Sequence, residues 1–347
     1  MTRRALLWAS LAPPPPTERA PVAFHYQAVF DERALAWYSR FDVLVLGGIL
    51  EPQQIRRLRS AGARRLLAYE WSSAFYAGDA VSAPLDWQQR VQARRWALTT
   101  EPVTGGAAEG GRGAIWYDYA NPDLRRERAQ YLAARLLAAG YDGIFLDTLG
   151  FEQLPPPVRQ AHAARHPGVD YNLGQSRFLQ QLRRLLAGRA LFLNQGYRQP
   201  DLFLPYADFD LTESYFTALD NNGGTLFRPW HDAAKPWESV KTPIEQLILP
   251  ASRRFPNVRF VHLNYAAGSP ELVRQAAFYS FACAKLFNHD AYLMAPGAAP
   301  LEEATCYFLP LGRPLEPTYQ EASGRVSRRF EGGTVEIEGA RGIIRPR

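Results

Sequence analysis

The chain has 347 residues, 47% of them hydrophobic, and a net charge of +6 at pH 7. That length suits two ordinary domains or one α/β barrel, which needs about 250 residues before insertions. The positive charge is nearly all Arg, spread along predicted helices rather than gathered into one basic run, so nucleic acid is not an expected partner. Cys283 and Cys306 show no metal-ligand spacing and are too few for a disulfide framework.

At the amino terminus Thr2-Arg3-Arg4 leads into an apolar stretch to Ala12 and then Pro13 to Pro16. Two readings stand for residues 1–20: an atypical export signal, which makes a secreted or cell-envelope protein the expectation, or an unstructured Pro-rich tail. No stretch is long and apolar enough to span a membrane. Val22 to Phe24 predicts a first strand and Val43 to Leu46 a second, with Pro52 opening a helix that stops before Gly62. Leu66 to Tyr69 is the third strand, delivering Glu70-Trp71 at its end. Ala97 to Tyr119 encloses a Gly-rich run between extended stretches, as in a hairpin or lid; it lacks the Gly-Lys-Ser/Thr ending of a phosphate loop. Asn121-Pro122-Asp123 starts a helix that places Ala129, Leu132, Ala133, Leu136 and Leu137 on one face and ends at Gly140.

The central stretch follows. Ile144 to Leu146 is a short apolar run typical of a buried strand, the fourth, and Asp147 closes it. A long excursion from Phe151 to Asn172 holds His162 and His166 at helical spacing, with no third metal ligand nearby. A helix carrying Phe178, Leu179 and Leu182 leads to the fifth strand, Leu191 to Leu193, which delivers Asn194 and Tyr197. Phe209 to Leu211, the sixth, delivers Glu213 and Tyr215. A loop from Asp220 to Trp237, containing Trp230, is long enough to wall a cleft. Val258 to Leu263 is the seventh strand, ending at Asn264-Tyr265. The eighth is either Lys285 to Phe287 or Ala291 to Leu293, near Asn288.

Eight strands alternating with helices predict a (β/α)8 barrel over residues 21–306. An open doubly wound sheet is the alternative, but no G-x-G-x-x-G follows the first strand. From about Tyr307 the alternation stops, and Ser323 to Ile344 predicts short strands around a Gly332-Gly333 turn. Residues 307–347 are therefore expected to form a small β extension packed on the barrel.

In a barrel the strand ends share one cleft. Tyr26, Glu70, Trp71, Asp118, Asn194, Tyr197, Tyr215, Asn264 and Asn288 are the candidates to bind substrate there. Carboxylates and amides hydrogen-bond hydroxyls while aromatic faces pack on sugar C–H groups, so the expected partner is a carbohydrate. No clustered His and no G-x-S-x-G elbow points to a metal or serine enzyme, and no cofactor is required. Glycoside hydrolysis needs two carboxyl groups across the scissile bond. Asp147 as nucleophile and Glu213 as general acid/base are the expected pair, with the reverse assignment as an alternative. Glu70 has a second reading as the buried partner of an Arg, Asp118 as part of the cap before Pro122, and His25 and His289 as core histidines. The competing functions are a barrel that binds glycans without cleaving them and a lyase or isomerase using Asp147 as base.

The run Tyr141-Asp142-Gly143-Ile144-Phe145-Leu146-Asp147, preceded by Asp118 and Asn121-Pro122 and followed by an Asn-bearing fifth strand and Glu213-Ser214, resembles the endo-α-1,4-polygalactosaminidase family, glycoside hydrolase family 114. The tail, Leu311-Gly312-Arg313-Pro314 and then Arg328 to Val335, is similar to the ending of related bacterial glycoside hydrolases. The resemblance implies a TIM-barrel glycosidase with acids on the fourth and sixth strands, where Asp147 and Glu213 fall. It leaves the sugar open, because a basic protein is an unexpected partner for a cationic galactosamine polymer.

Overall fold

The computed structural model describes residues 19–347 except 27, 48–49, 81, 106–111, 296–303 and 323. Residues 1–18, with the export-signal reading, and the tip of the Gly-rich run lie outside the described residues. Eight apolar runs form one parallel sheet, hydrogen-bonded in chain order. They are β1 (Ala20–His25), β2 (Phe41–Leu46), β3 (Arg65–Trp71), β4 (Gly143–Asp147), β5 (Ala190–Asn194), β6 (Phe209–Glu213), β7 (Arg259–Tyr265) and β8 (Asp290–Met294). Helices α1 (Glu32–Tyr38), α2 (Pro52–Ser60), α3 (Leu85–Ala93), α4 (Pro122–Ala139), α5 (Pro156–Arg165), α6 (Tyr171–Leu185) and α7 (Pro270–Leu286) lie between them, with a one-turn helix, Pro200–Phe203, in the β5–β6 connection and a helical run from Lys241 to Arg254 in the β6–β7 connection. Of the two candidates for the eighth strand the later one forms it; Lys285 and Leu286 end α7.

The sheet curls into a (β/α)8 barrel, and its interior shows how. Phe24 of β1 meets Phe145 of β4 and Phe192 of β5, each at 5.5 Å between ring centroids, and Phe145 and Phe192 are 5.2 Å apart. Side chains from strands so far apart in the sheet order touch only if the sheet wraps around them. Each such edge-on pair adds about 0.5–1.5 kcal/mol beyond its buried area. β8 lies beside β1, with Tyr292 6.5 Å from Phe24.

The helix before β4 shows the local logic. Asn121 Oδ1 accepts from the backbone of Asp123 and Leu124, Pro122 takes the first turn, and Gly140 closes the helix in the left-handed conformation at φ 80°. Leu124, Ala129, Leu132, Ala133 and Leu136 are buried, whereas Leu137 falls on the solvent side. Asp142 then accepts from Leu66 N of β3 at 2.7 Å and from Arg59 at 2.5 Å, fixing the register of β4. Gly143 follows because a Cβ there would lie 2.2 Å from the Ala190 carbonyl of β5.

Two connections carry structure of their own. The extended stretches on either side of the Gly-rich run pair antiparallel, as a hairpin does: Leu98 N donates to the Trp116 carbonyl, and Val103 and Ala114 exchange backbone hydrogen bonds; Ala114–Trp116 also pairs with Ala74–Tyr76 in a two-stranded ribbon. The Pro-rich excursion after β4 contains α5, which starts at Pro156 where a missing N–H costs nothing.

Beyond the barrel, β9 (Gln320–Ala322), β10 (Arg325–Phe330), β11 (Gly333–Glu338) and β12 (Arg341–Pro346) form an antiparallel sheet. It seats on α7: Gln275 donates to the Ala340 carbonyl, and Arg328 to that of Leu286. No helix among the described residues is long and apolar enough to cross a membrane.

Candidate active site

Asp147, Asn194 and Glu213 are the last residues of three consecutive strands, β4, β5 and β6. Each stands two residues beyond an inward-facing apolar one, Phe145, Phe192 or Leu211, so the two-residue strand period turns all three into the barrel mouth. One nitrogen holds them together. Asn194 Nδ2 donates to Asp147 Oδ1 at 2.7 Å and to Glu213 Oε2 at 2.9 Å. The amide orientation follows from this, since the flipped form would set a carbonyl against two carboxylates. Asn194 Oδ1 is buried and has no hydrogen-bond partner among the described residues.

Two phenols complete the acids' surroundings. Tyr69 of β3 donates to Asp147 Oδ2 at 2.5 Å while accepting from Trp71 Nε1 at 2.7 Å, and Thr148 N donates to Asp147 Oδ1 at 2.7 Å. Tyr265 of β7 donates to Glu213 Oε1. Burial, and then the neighbouring Asp147, pushes the Tyr69 phenol well above its ordinary range. Burial first, then Tyr26 and Glu213, does the same to Tyr265. Both phenols therefore stay protonated as donors. Tyr26 closes this side, its ring 5.2 Å from that of Tyr69.

The backbone just after each of the three residues is left-handed without glycine: Thr148 at φ 62°, Gln195 at 63° and Ser214 at 61°. That conformation costs about 1–2 kcal/mol per residue and persists where surroundings over-determine it. Gln175 of α6 supplies part of the constraint. It donates to Ser72 Oγ at 3.0 Å and Ser73 Oγ at 2.9 Å beyond β3, and accepts from Gly150 N at 2.8 Å beyond β4. Asp210 supplies another, accepting from Gly196 N at 2.7 Å and Tyr197 N at 2.9 Å; burial raises its carboxyl well above the usual range.

Beside Glu213 opens a cleft of about 430 Å³, walled by Tyr215, Arg198, Arg228, Trp237 and Glu152. Tyr215 reaches back to Tyr197, hydroxyl to hydroxyl at 2.8 Å. Trp237 is 56% exposed, whereas Trp230 is buried against Phe287 with ring centroids 5.7 Å apart.

Other candidates sit elsewhere. Glu70 faces outward from β3 and is buried between Arg128 at 3.4 Å and Arg135 at 3.1 Å, the Arg-partner reading of this residue. Asp118 is buried against His166 at 2.8 Å and Arg165 at 3.3 Å. Asn264 is buried on the outer face of β7, where its Oδ1 accepts from Phe216 N and Thr217 N. It shapes the loop after β6, and its neighbour Tyr265 is the one that enters the mouth. Asn288 stands before β8 in the turn after α7, at the opposite rim of the barrel. His162 bonds the Val169 carbonyl at 2.9 Å, so the His162/His166 pair is spent on separate partners. No group of three or more potential metal ligands occurs among the described residues. His289 belongs to a buried chain with His262, 3.0 Å away, and Thr212. Tyr69, Tyr265, Arg198 and Arg228 were not marked by the sequence reading; for the two tyrosines the usable signal was their two-residue offset from inward-facing residues.

No protein-family model matches the chain, nor does any curated protein sequence. Solved structures do resemble it. The glycoside hydrolase domain of PelA from Pseudomonas aeruginosa aligns with a TM-score of 0.57 and 23% identity, over 81% of this chain and 96% of that one. The α-galactosidase TtGalA from Thermus thermophilus aligns at 0.52 and 16%, over 92% and 66%. An α-amylase from Geobacillus thermoleovorans, complexed with acarbose, aligns at 0.51 and 10%, over 91% and 85%. At these identities the likeness is one of fold: the chain shares the barrel of these proteins.

Proposed function

We propose that this chain is a glycoside hydrolase that cleaves O-glycosidic bonds of a polysaccharide or oligosaccharide with retention of configuration, using Asp147 and Glu213. The observation that carries the reading is the shared nitrogen of Asn194. Carboxylate oxygens 2.7 and 2.9 Å from one –NH₂ group lie roughly 5 Å apart when each takes its own hydrogen. Retaining glycosidases hold their carboxyl groups about 5–5.5 Å apart, and inverting ones about 6.5–9.5 Å, to leave room for water. A glycan-binding barrel has no need of paired acids, and a single-base lyase has no use for the second. That three solved barrels of this fold carry the names of glycoside hydrolases supports the same class.

Asp147 holds three donors, from Tyr69, Thr148 and Asn194, an arrangement suited to a group that works as an anion. In the first step an Asp147 oxygen attacks the anomeric carbon and the bond to the leaving oxygen breaks, that oxygen taking its proton from Glu213. In the second, water attacks the glycosyl–Asp147 ester and gives its proton to Glu213, which restores both groups. The test is reducing-end release from a panel of exopolysaccharides, with proton NMR of the first-formed anomer. Glu213→Gln should lower kcat by about 10²–10⁴ and Asp147→Asn at least as much. Undiminished cleavage by both variants overturns the site, and a product of inverted configuration overturns retention.

A further inference from the structure

We propose that the glycan taken by this site is acidic, and that a carboxylate on the sugar unit next to the scissile bond is gripped by Arg198 and Arg228. The proposal rests on the glycosidase reading above and concerns the cleft of about 430 Å³ beside Glu213. Its two acids are already engaged: Glu213 accepts from Tyr265 and Asn194, and Glu152 accepts from Gln199 at 3.1 Å. Its two guanidinium groups have no carboxylate partner among the described residues. The Arg198 guanidinium lies by the neighbouring Tyr197 hydroxyl, and Arg228 Nε is buried without a hydrogen-bond partner among the described residues. The unspent capacity of the cleft is therefore a set of charged donors.

Guanidinium is the side chain whose planar donors match a carboxylate two by two. An unpaired one with a buried N–H is an unmet demand that such a ligand would satisfy. The exposed indole of Trp237 on the same wall offers a face for the sugar ring. A cationic galactosamine unit would meet two like charges here, whereas a polyanion is also drawn in by the net charge of +6.

The experiment uses the Glu213→Gln protein, which keeps the cleft but blocks turnover. It measures calorimetric binding of uronic-acid oligomers of several linkages, of the same oligomers after carboxyl reduction to neutral sugars, of sulfated dextran oligomers, and of α-1,4-linked galactosamine oligomers. At least one uronic-acid oligomer should bind, and its reduced form at least tenfold more weakly. Adding Arg198→Gln or Arg228→Gln should weaken the acidic oligomer by roughly ten- to a hundredfold, with Arg228→Lys between, and melting curves confirm that each variant folds. Binding of none of the acidic oligomers overturns the proposal, as does preference for sulfated, neutral or galactosamine oligomers. Hydrolysis of a neutral or galactosamine oligomer by otherwise wild-type protein, indifferent to both Arg changes, leaves the glycosidase reading standing and removes this one. Arg-dependent binding of acidic oligomers that the wild type never cuts does the reverse.

Discussion

The –NH₂ group of Asn194 touches both acids, so this position is where the pair is most easily uncoupled. Asn194→Asp sets a third carboxylate where a donor is needed, and kcat should fall by about 10²-fold or more, as when a single preorganised donor is removed from an active site. Asn194→Ala, which deletes the donor without adding charge, should fall less. Steady-state kinetics beside melting curves check this, and unchanged kcat in both variants would reduce Asn194 to a packing role. Asp147 and Asn194 were readable because each ends an apolar run, and Glu213 because it stands two residues beyond Leu211 at the end of its strand. The phenols that flank them were not. At a rim, a shift of one residue moves a side chain to the other face of the sheet, and the runs of β3 and β7 are buried on both faces, so apolarity does not say which face is inward. Glu70 and Asn264 caught attention as polar residues, while Tyr69 and Tyr265, one position away, are those turned into the mouth. Arg198 and Arg228 gave no signal because they come from loops with no period to read.

At the scale of the elements, β4 and its preceding helix were the most legible part of the chain: cap, proline, terminal glycine, register-setting Asp142 and the close approach at Gly143 all act locally. The order of the barrel followed from alternation alone. What alternation cannot supply is the distant partner that turns a surface-type residue into a buried one. Glu70 is such a case, placed under α4 between two arginines, with Arg128 fully buried and its guanidinium 3.9 Å above the Tyr117 ring. Removing one side of a buried ion pair costs about 3–5 kcal/mol because the other charge is stranded. Glu70→Ala should therefore lose stability of that order in urea unfolding, while the folded fraction keeps a KM close to that of wild type. A large rise in KM with intact stability would return Glu70 to the list of substrate ligands. The left-handed residues after β4, β5 and β6 show the same dependence: nothing in Thr148, Gln195 or Ser214 foretells that backbone, and the bonds that hold the neighbouring turns, from Gln175 after β4, Asp210 after β5 and Asn264 after β6, come from outside each turn.

Over the whole molecule, burial of titratable groups couples the fold to pH. His262 and His289 are fully desolvated, which holds the first well below the ordinary histidine range and takes the second down to about 3. As pH falls through about 6.5 the unfolded chain takes up protons at these two positions that the native protein refuses, so stability is present above that range and is lost as pH falls. Asp210 acts in the opposite sense, because the native state retains a proton that the unfolded carboxyl gives up above about pH 4. The two histidines outweigh the one carboxyl once the unfolded imidazoles are protonated, so near pH 5 stability falls as pH falls, by about 1.4 kcal/mol per pH unit for each net proton taken up on unfolding. Asp210→Asn removes the opposing group, and the slope should steepen; urea titrations between about pH 5.5 and 4.5 measure both, and a flat wild-type profile would contradict neutral burial of the histidines. The small terminal sheet has an influence at a distance as well. Glu321 of β9 accepts from Trp230 Nε1 at 3.2 Å and from Lys241 at 2.6 Å, and Tyr319 reaches Glu245 at 2.5 Å, so the sheet pins the segments that flank Trp237. During synthesis this gives assembly an order. The ribosome delivers Asp147, Asn194 and Glu213 more than a hundred residues before Glu321, and all eight barrel strands precede it as well, so the barrel is complete in the nascent chain while one wall of the cleft is still unlatched.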